Sequence, residues 1–241
     1  MNHIGTAGWS IRSEHAAAFG AGGSHLQRYA TRFNAVEINS SFYRPHRPAT
    51  YTRWAASVPD GFRFAVKMPR TITHEKRLLD SDEELKRFAG EVSALGEKLG
   101  PVLIQLPPSL AFAPQTARDF FGEVRAALPG QLALEPRHMS WFGEGVDRLL
   151  RQFHIARVAA DPALSPAASQ LGGWDGFAYW RLHGAPRMYY SAYEPVALKT
   201  LAQRLCAVPE AWCIFDNTAL GAATTDALQT ARQVGGGANP A

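Results

Sequence analysis

Short apolar runs, rich in β-branched and aromatic residues, recur along the chain, and each ends in polar residues before a helical or loop segment. Eight can be placed, at residues 3–8, 35–39, 62–68, 102–106, 132–135, 156–160, 177–182 and 212–215. Between them the spacing of apolar positions predicts helices over 26–33, 48–57, 115–128, 145–153, 195–207 and 222–233. Pro48 suits the first turn of its helix. Ser81, with Glu84 three residues on, reads as a capping box opening a further helix, which Gly100 and Pro101 stop near residue 99. Pro162 and Pro166 break up the connection after the sixth run, so the helix there is expected to be short or degraded.

Strand–helix alternation in units of about 30 residues is the pattern of a TIM-type (β/α)8 barrel. The expectation is an α/β fold, with a single barrel domain over 1–234 and a disordered Gly-rich tail over 235–241. A doubly wound open sheet would carry a Gly-rich phosphate turn after its first strand. Gly5-Thr6-Ala7-Gly8-Trp9 is not that turn, because no helix starts there.

The polar residues of the strands gather at their C-terminal ends. Glu37, Asn39, Lys67, Gln105, Glu135, Arg137, Asp161, Arg181, His183, Asp216 and Asn217 all lie there. Such groups are costly to bury unpaired. In a TIM barrel this end builds the active site. The competing reading is a structural ion-pair network closing the barrel top. Glu37, Glu135, Asp161 and Asp216 oppose Lys67, Arg70, Arg137 and Arg181, a mixed balance that suits an anionic substrate better than a dedicated metal cage.

Three chemistries stay open. A divalent metal could be held by His74, Glu135, His183 and Asp216, with His138 in reserve. Glu37 and Glu135 could form a glycosidase pair, which needs a carboxyl separation of about 5–9.5 Å. Lys67 could act as a Schiff-base amine, or simply pair with Glu37. Among the loop aromatics, Tyr43, Trp141 and Tyr190 follow strand-end polar residues and are the best placed to stack on a ligand; the alternative is loop packing.

Composition adds bounds. A chain of 241 residues with 46% hydrophobic content can bury a core without disulfides. Its net charge of +4 is compatible with a small anionic ligand or nucleic acid and requires neither. Cys206 and Cys213 have no metal or disulfide spacing, and no signal peptide or membrane span is expected, so a cytoplasmic protein is anticipated.

Several segments carry a resemblance. They include Gly5-Thr6-Ala7-Gly8-Trp9, Val36-Glu37-Ile38-Asn39-Ser40-Ser41-Phe42-Tyr43, Phe64-Ala65-Val66-Lys67 and Ile72-Thr73-His74. Gln105-Leu106-Pro107-Pro108, the stretch Glu135-Pro136-Arg137-His138-Met139-Ser140-Trp141, Arg181-Leu182-His183-Gly184 and Phe215-Asp216-Asn217-Thr218 complete the set. Together they resemble the YecE-like family, domain of unknown function seventy-two. The resemblance implies a TIM barrel and supplies no reaction. It departs at Ala7, where Ser is usual.

The expected function is that of an enzyme, a hydrolase or isomerase of unassigned reaction, acting on a phosphate- or sugar-containing anion. Glu37, Glu135 and Asp216 are its catalytic candidates. Asn39, Tyr43, Lys67, Gln105, Arg137, Trp141, Arg181 and Asn217 would bind substrate, and His74 and His183 would orient it or bind a metal. The alternatives are a non-catalytic nucleic-acid binder and a structural or regulatory barrel without chemistry.

Overall fold

The computed structural model describes residues 1–236. Ten strands alternate with seven α-helices. The strands are β1 (Asn2–Thr6), β2 (Ala35–Ile38), β3 (Arg63–Lys67), β4 (Leu99–Gln105), β5 (Leu132–Glu135), β6 (Ile155–Arg157), β7 (Ala159–Asp161), β8 (Gly172–Gly173), β9 (Ala178–Leu182) and β10 (Ala211–Phe215). The helices are α1 (His25–Tyr29), α2 (Pro48–Ala56), α3 (Asp82–Val92), α4 (Pro114–Ala127), α5 (Glu144–Gln152), α6 (Pro195–Cys206) and α7 (Ala222–Gly236).

All eight expected strands are present, with the sixth divided at Val158 into β6 and β7. They form two sheets, ordered β1-β10-β9-β7 and β2-β3-β4-β5-β6-β8. Every pairing is parallel except that of the short β8 with β6. The sheets meet twice. Ala7 bridges to Glu37, whose carbonyl also accepts from the Gly8 amide at 2.8 Å. On the far side β6 runs directly into β7, with the Val158 amide donating to Leu134.

Strand parity divides the core. Ala35, Ala65, Leu103, Ala133, Ala156, Tyr179, Trp212 and Ile214 form an inner cluster. Their neighbours Val36, Phe64, Ile104, Leu134, Trp180 and Phe215 pack outward, in the same cluster as the helix residues Leu85, Phe120, Leu149 and Leu205. Continuing the inner parity to the strand ends reaches Glu37, Lys67, Gln105, Glu135, Arg181 and Asp216. A residue every second position is thus apolar until the last, where it is charged or polar.

The structure corrects some boundaries. Gly100 and Pro101 lie inside β4 rather than ending a helix; α3 stops at Val92 and a 3-10 segment, Ser93–Lys98, follows it, kinked at Gly96 (φ 56°). The Ser81 side chain makes no cap, because Glu84 instead takes the Lys76 ammonium at 2.7 Å. Pro166–Ser169 forms only a 3-10 turn, as the prolines there imply. The last helix continues through Gly236, and the rest of the expected tail, 237–241, lies outside the described residues.

Gly5 sets how closely β1 approaches β2. A Cβ there would lie 2.0 Å from the Ala35 carbonyl oxygen and 2.9 Å from the Tyr29 hydroxyl. That hydroxyl ties the two strands, accepting from the Thr6 amide at 2.8 Å and donating to Ala35 at 3.1 Å. Gly5→Ala is therefore expected to lower stability by about 1–3 kcal/mol or more through overpacking. Chemical denaturation of wild type and variant checks it, and equal midpoints would show that the backbone contact relaxes freely.

Candidate functional site at the strand ends

Arg181, on β9, has no exposed surface. Burying a guanidinium requires full compensation, and three strands supply it. Nη2 donates to Glu37 Oε1 at 2.8 Å and reaches Asp216 Oδ2 at 3.1 Å; Nε donates to Glu37 Oε2 at 3.1 Å; Nη1 donates to Glu135 Oε2 at 3.2 Å. Burial alone would lower the Arg181 pKa, but Asp216, Glu37 and Glu135 together raise it well above the ordinary value.

The carboxylates are held from their other sides too. Tyr179 donates to Glu37 at 2.9 Å, and burial followed by the Glu37 charge keeps that phenol protonated. Gln105 donates to Glu135 Oε2 at 3.0 Å. Arg137 and His183 meet at Glu135 Oε1, at 2.6 and 2.7 Å. The other ring nitrogen of His183 lies 3.0 Å from Asp216 Oδ2. Burial would raise the Glu135 pKa, yet Arg137, Arg181 and His183 hold it well below the usual carboxylate range; Arg181 and His183 lower that of Asp216 against its burial.

Seven of the sequence-derived candidates thus converge: Glu37, Gln105, Glu135, Arg137, Arg181, His183 and Asp216. Glu37 and Glu135 are fully buried, and both oxygens of each are held by protein groups, Arg181 among them. Asp216 keeps Oδ1 without a protein partner among the described residues. It is the carboxylate of the three still able to accept a proton from a ligand.

Lys67 reaches the same place from β3. Its Nζ lies 4.1 Å from the centre of the Phe42 ring and makes no hydrogen bond or ion pair within the described residues. Its pKa is lowered to about 8, by burial first and the nearby Arg181 second, against Glu37, Glu135 and Asp216. The expected Glu37–Lys67 pair does not form, because Arg181 and Tyr179 occupy Glu37. Among the described residues three polar atoms at the strand ends are buried without partners, Asn39 Oδ1, Arg137 Nε and Asn217 Oδ1.

Other candidates lie elsewhere in the packing. Trp141 is 1% exposed; its indole N–H donates to Leu110 and its ring packs on Phe112 and Phe121, so it supports the α4 layer instead of stacking on a ligand. Asn217 donates to Ser191 and Asp226, anchoring the loop after β9. Tyr43 stands exposed at the rim. Tyr190 is half-exposed and lies under the Arg187 guanidinium.

The metal expectation fails the chemistry of the donor set. The point where the carboxylates converge is already filled by a guanidinium, and both His183 nitrogens face oxygens that Arg137 or Arg181 also contacts. Among the described residues no three His, Cys, Asp or Glu side chains gather as a metal site. His74 is outside the network: Nδ1 meets Thr73 Oγ1 at 2.8 Å and the ring packs on Phe42. Burial, then Lys67 and Arg70, lower its pKa to about 4.

Tyr189 is the residue that sequence reasoning under-weighted. Its ring stands edge-on to His183, 5.7 Å away, and its backbone is left-handed at φ 70°. A bulky residue pays strain in that region. Burial raises its pKa, with Arg137, Asp216, Arg181 and Glu135 all close enough to act on it. The signal available in sequence was only an adjacent Tyr pair in the loop after His183.

Arg181→Met should lower stability by about 3–5 kcal/mol at neutral pH, since three buried carboxylates lose their common cation. The sign with pH follows from the depressed pKa values of Glu135 and Asp216. Their contribution is full above the unfolded values of 4.5 and 3.8 and is lost as pH falls through the folded ones. The wild-type advantage over the variant should therefore shrink on acidification below roughly pH 4.5. Urea unfolding of both proteins at several pH values tests this, and a gap independent of pH would contradict it.

No helix among the described residues is long and apolar enough to cross a membrane. The YecE protein of Escherichia coli K12 is 32% identical over 168 residues, which are 67% of this chain and 59% of that protein's length. The crystal structure of a DUF72 family protein from Thermotoga maritima MSB8 superposes with a TM-score of 0.80 at 27% identity, covering 98% of this chain and 99% of the other. A 3-keto-D-glucoside 4-epimerase from Escherichia coli, of TIM-barrel type, shares the fold with a TM-score of 0.54 at 10% identity, covering 97% and 99%. The pattern of one family, described as protein of unknown function DUF72, matches residues 3–240. The chain belongs to the DUF72 family.

Proposed function

We propose that this protein is an enzyme acting on an anionic, phosphate- or sugar-containing substrate at the mouth of a single closed (β/α)8 barrel. In this reading the two sheets are one wall, joined at Ala7–Glu37 and at Val158. One observation carries it: Arg181 and Arg137 bond the carboxylates at the strand ends, while among the described residues Arg137 Nε has no acceptor and Lys67 Nζ bonds none of those carboxylates. An unpaired buried donor costs about 1–3 kcal/mol, more when charged. A phosphate or carboxylate oxygen arriving there would relieve that cost.

The remaining free atoms fit the rest of such a ligand. Asn39 Oδ1 and Asp216 Oδ1 are acceptors suited to hydroxyl groups. Asp216 would be the base, Glu135 the group that aims Arg137 and His183, and Tyr189 the cover over the histidine. Arg181 supplies a fixed positive charge where negative charge develops.

Thermal unfolding with inorganic phosphate, ribose 5-phosphate and glucose 6-phosphate tests the reading. A ligand at one hundred times its Kd stabilises by about 2.7 kcal/mol, on the order of 5–10 °C for a domain of this size. The expected result is a concentration-dependent rise in Tm, lost in Arg137→Gln whatever that variant's own Tm. No rise with any of the three would overturn anion binding at this mouth.

A further inference from the structure

Lys67 stands apart from the other four lysines of the chain, Lys76, Lys86, Lys98 and Lys199. Lys76, Lys86 and Lys98 each face a carboxylate within 4.0 Å, and Lys199 is on the surface of α6. Lys67 is only 5% exposed, yet its Nζ has no protein acceptor and is not sealed from solvent. Three carboxylates are near enough to influence it, but all are turned toward Arg181. Its Nζ lies 4.1 Å from the centre of the Phe42 ring. A lysine required only for charge balance would be expected to bond to one of those carboxylates. A buried amine beside a fixed cation and an apolar ring is the arrangement that leaves a nitrogen lone pair available.

We propose that Lys67 forms an imine with the carbonyl carbon of an anionic aldehyde or ketone, such as a phosphorylated sugar in its open-chain form, bound at the strand ends. The proposal rests on the anion-binding reading above and names its substrate class. The Nζ lone pair attacks the carbonyl carbon, a C–N bond forms, and the carbonyl π pair moves to oxygen. The resulting carbinolamine loses that oxygen as water. Both amine protons leave with it, and Asp216, whose Oδ1 has no partner among the described residues, would relay them. The C=N bond forms as the C–O bond breaks, and no oxidant or reductant takes part. Arg137, with its unpaired Nε, would hold the anionic end of the substrate. The lowered basicity of Lys67, to about 8, gives a neutral fraction of roughly a tenth at pH 7 and supports the geometry.

The test treats the whole protein with D-glyceraldehyde 3-phosphate and sodium cyanoborohydride, which reduces an imine to a stable secondary amine, and maps labelled lysines by peptide mass spectrometry. Lys67 is expected to be labelled at least about tenfold faster than exposed Lys199, with unphosphorylated D-glyceraldehyde less selective and inorganic phosphate protective. Lys67→Arg keeps the charge and should lose the label. If Lys67 is labelled no faster than Lys199, the imine is overturned. Phosphate stabilisation persisting in that case leaves the anion site standing, and its absence brings down both.

Discussion

A guanidinium with no contact to water has to be solvated by the protein, and Arg181 is solvated by Glu37, Glu135 and Asp216 from three other strands. This demand organises the strand ends. It draws Glu37 from one sheet to Arg181 and Asp216 in the other, across the junction where Ala7 meets Glu37. Exchanging such a network for apolar packing is often neutral or stabilising, so its presence does not by itself account for stability. What it does impose is geometry. Each carboxylate oxygen bound to Arg181 has a fixed direction, and with it Tyr179, Gln105, Arg137 and His183 are aimed.

The same network determines what is left for a ligand. Because the carboxylates are turned toward Arg181, Lys67 Nζ makes no ion pair among the described residues and lies over the Phe42 ring. Because Arg137 bonds Glu135 through Nη2, its buried Nε is left without a partner among the described residues. Because His183 and Arg181 both hold Asp216 through Oδ2, its Oδ1 is free. The residue types at these strand ends would serve a metal site equally well, but here a guanidinium stands where the carboxylates converge.

Much of this was legible in the sequence. The eight strand runs, the prolines that abolish the sixth helix and the clustering of polar residues at one end of the strands follow from local chemistry. Strand parity even sorts the polar residues inward: Ala65 and Lys67, Ala133 and Glu135, Tyr179 and Arg181 alternate with outward-packing neighbours. The boundaries that moved did so for tertiary reasons. Residue 100 lies in β4 and is glycine where a side chain would meet the Trp212 ring at 2.5 Å, and Ser81 lost its capping partner to Lys76.

The chain alone therefore determined the α/β alternation and the residue types that gather at the mouth, because periodicity and strand parity are local properties. It could not determine pairing. Whether Glu37 would meet Lys67 or Arg181 depended on side chains more than a hundred residues apart, and the 144-residue separation of Glu37 and Arg181 is closed only by the packed sheets. Trp141 and Asn217 carried the right residue types in the right loops, but neighbours contributed by Leu110, Phe121, Ser191 and Asp226 turned them to structural work. Tertiary structure decided which polar atoms are satisfied by the protein and which are left for a ligand, because that balance exists only once the strands stand side by side.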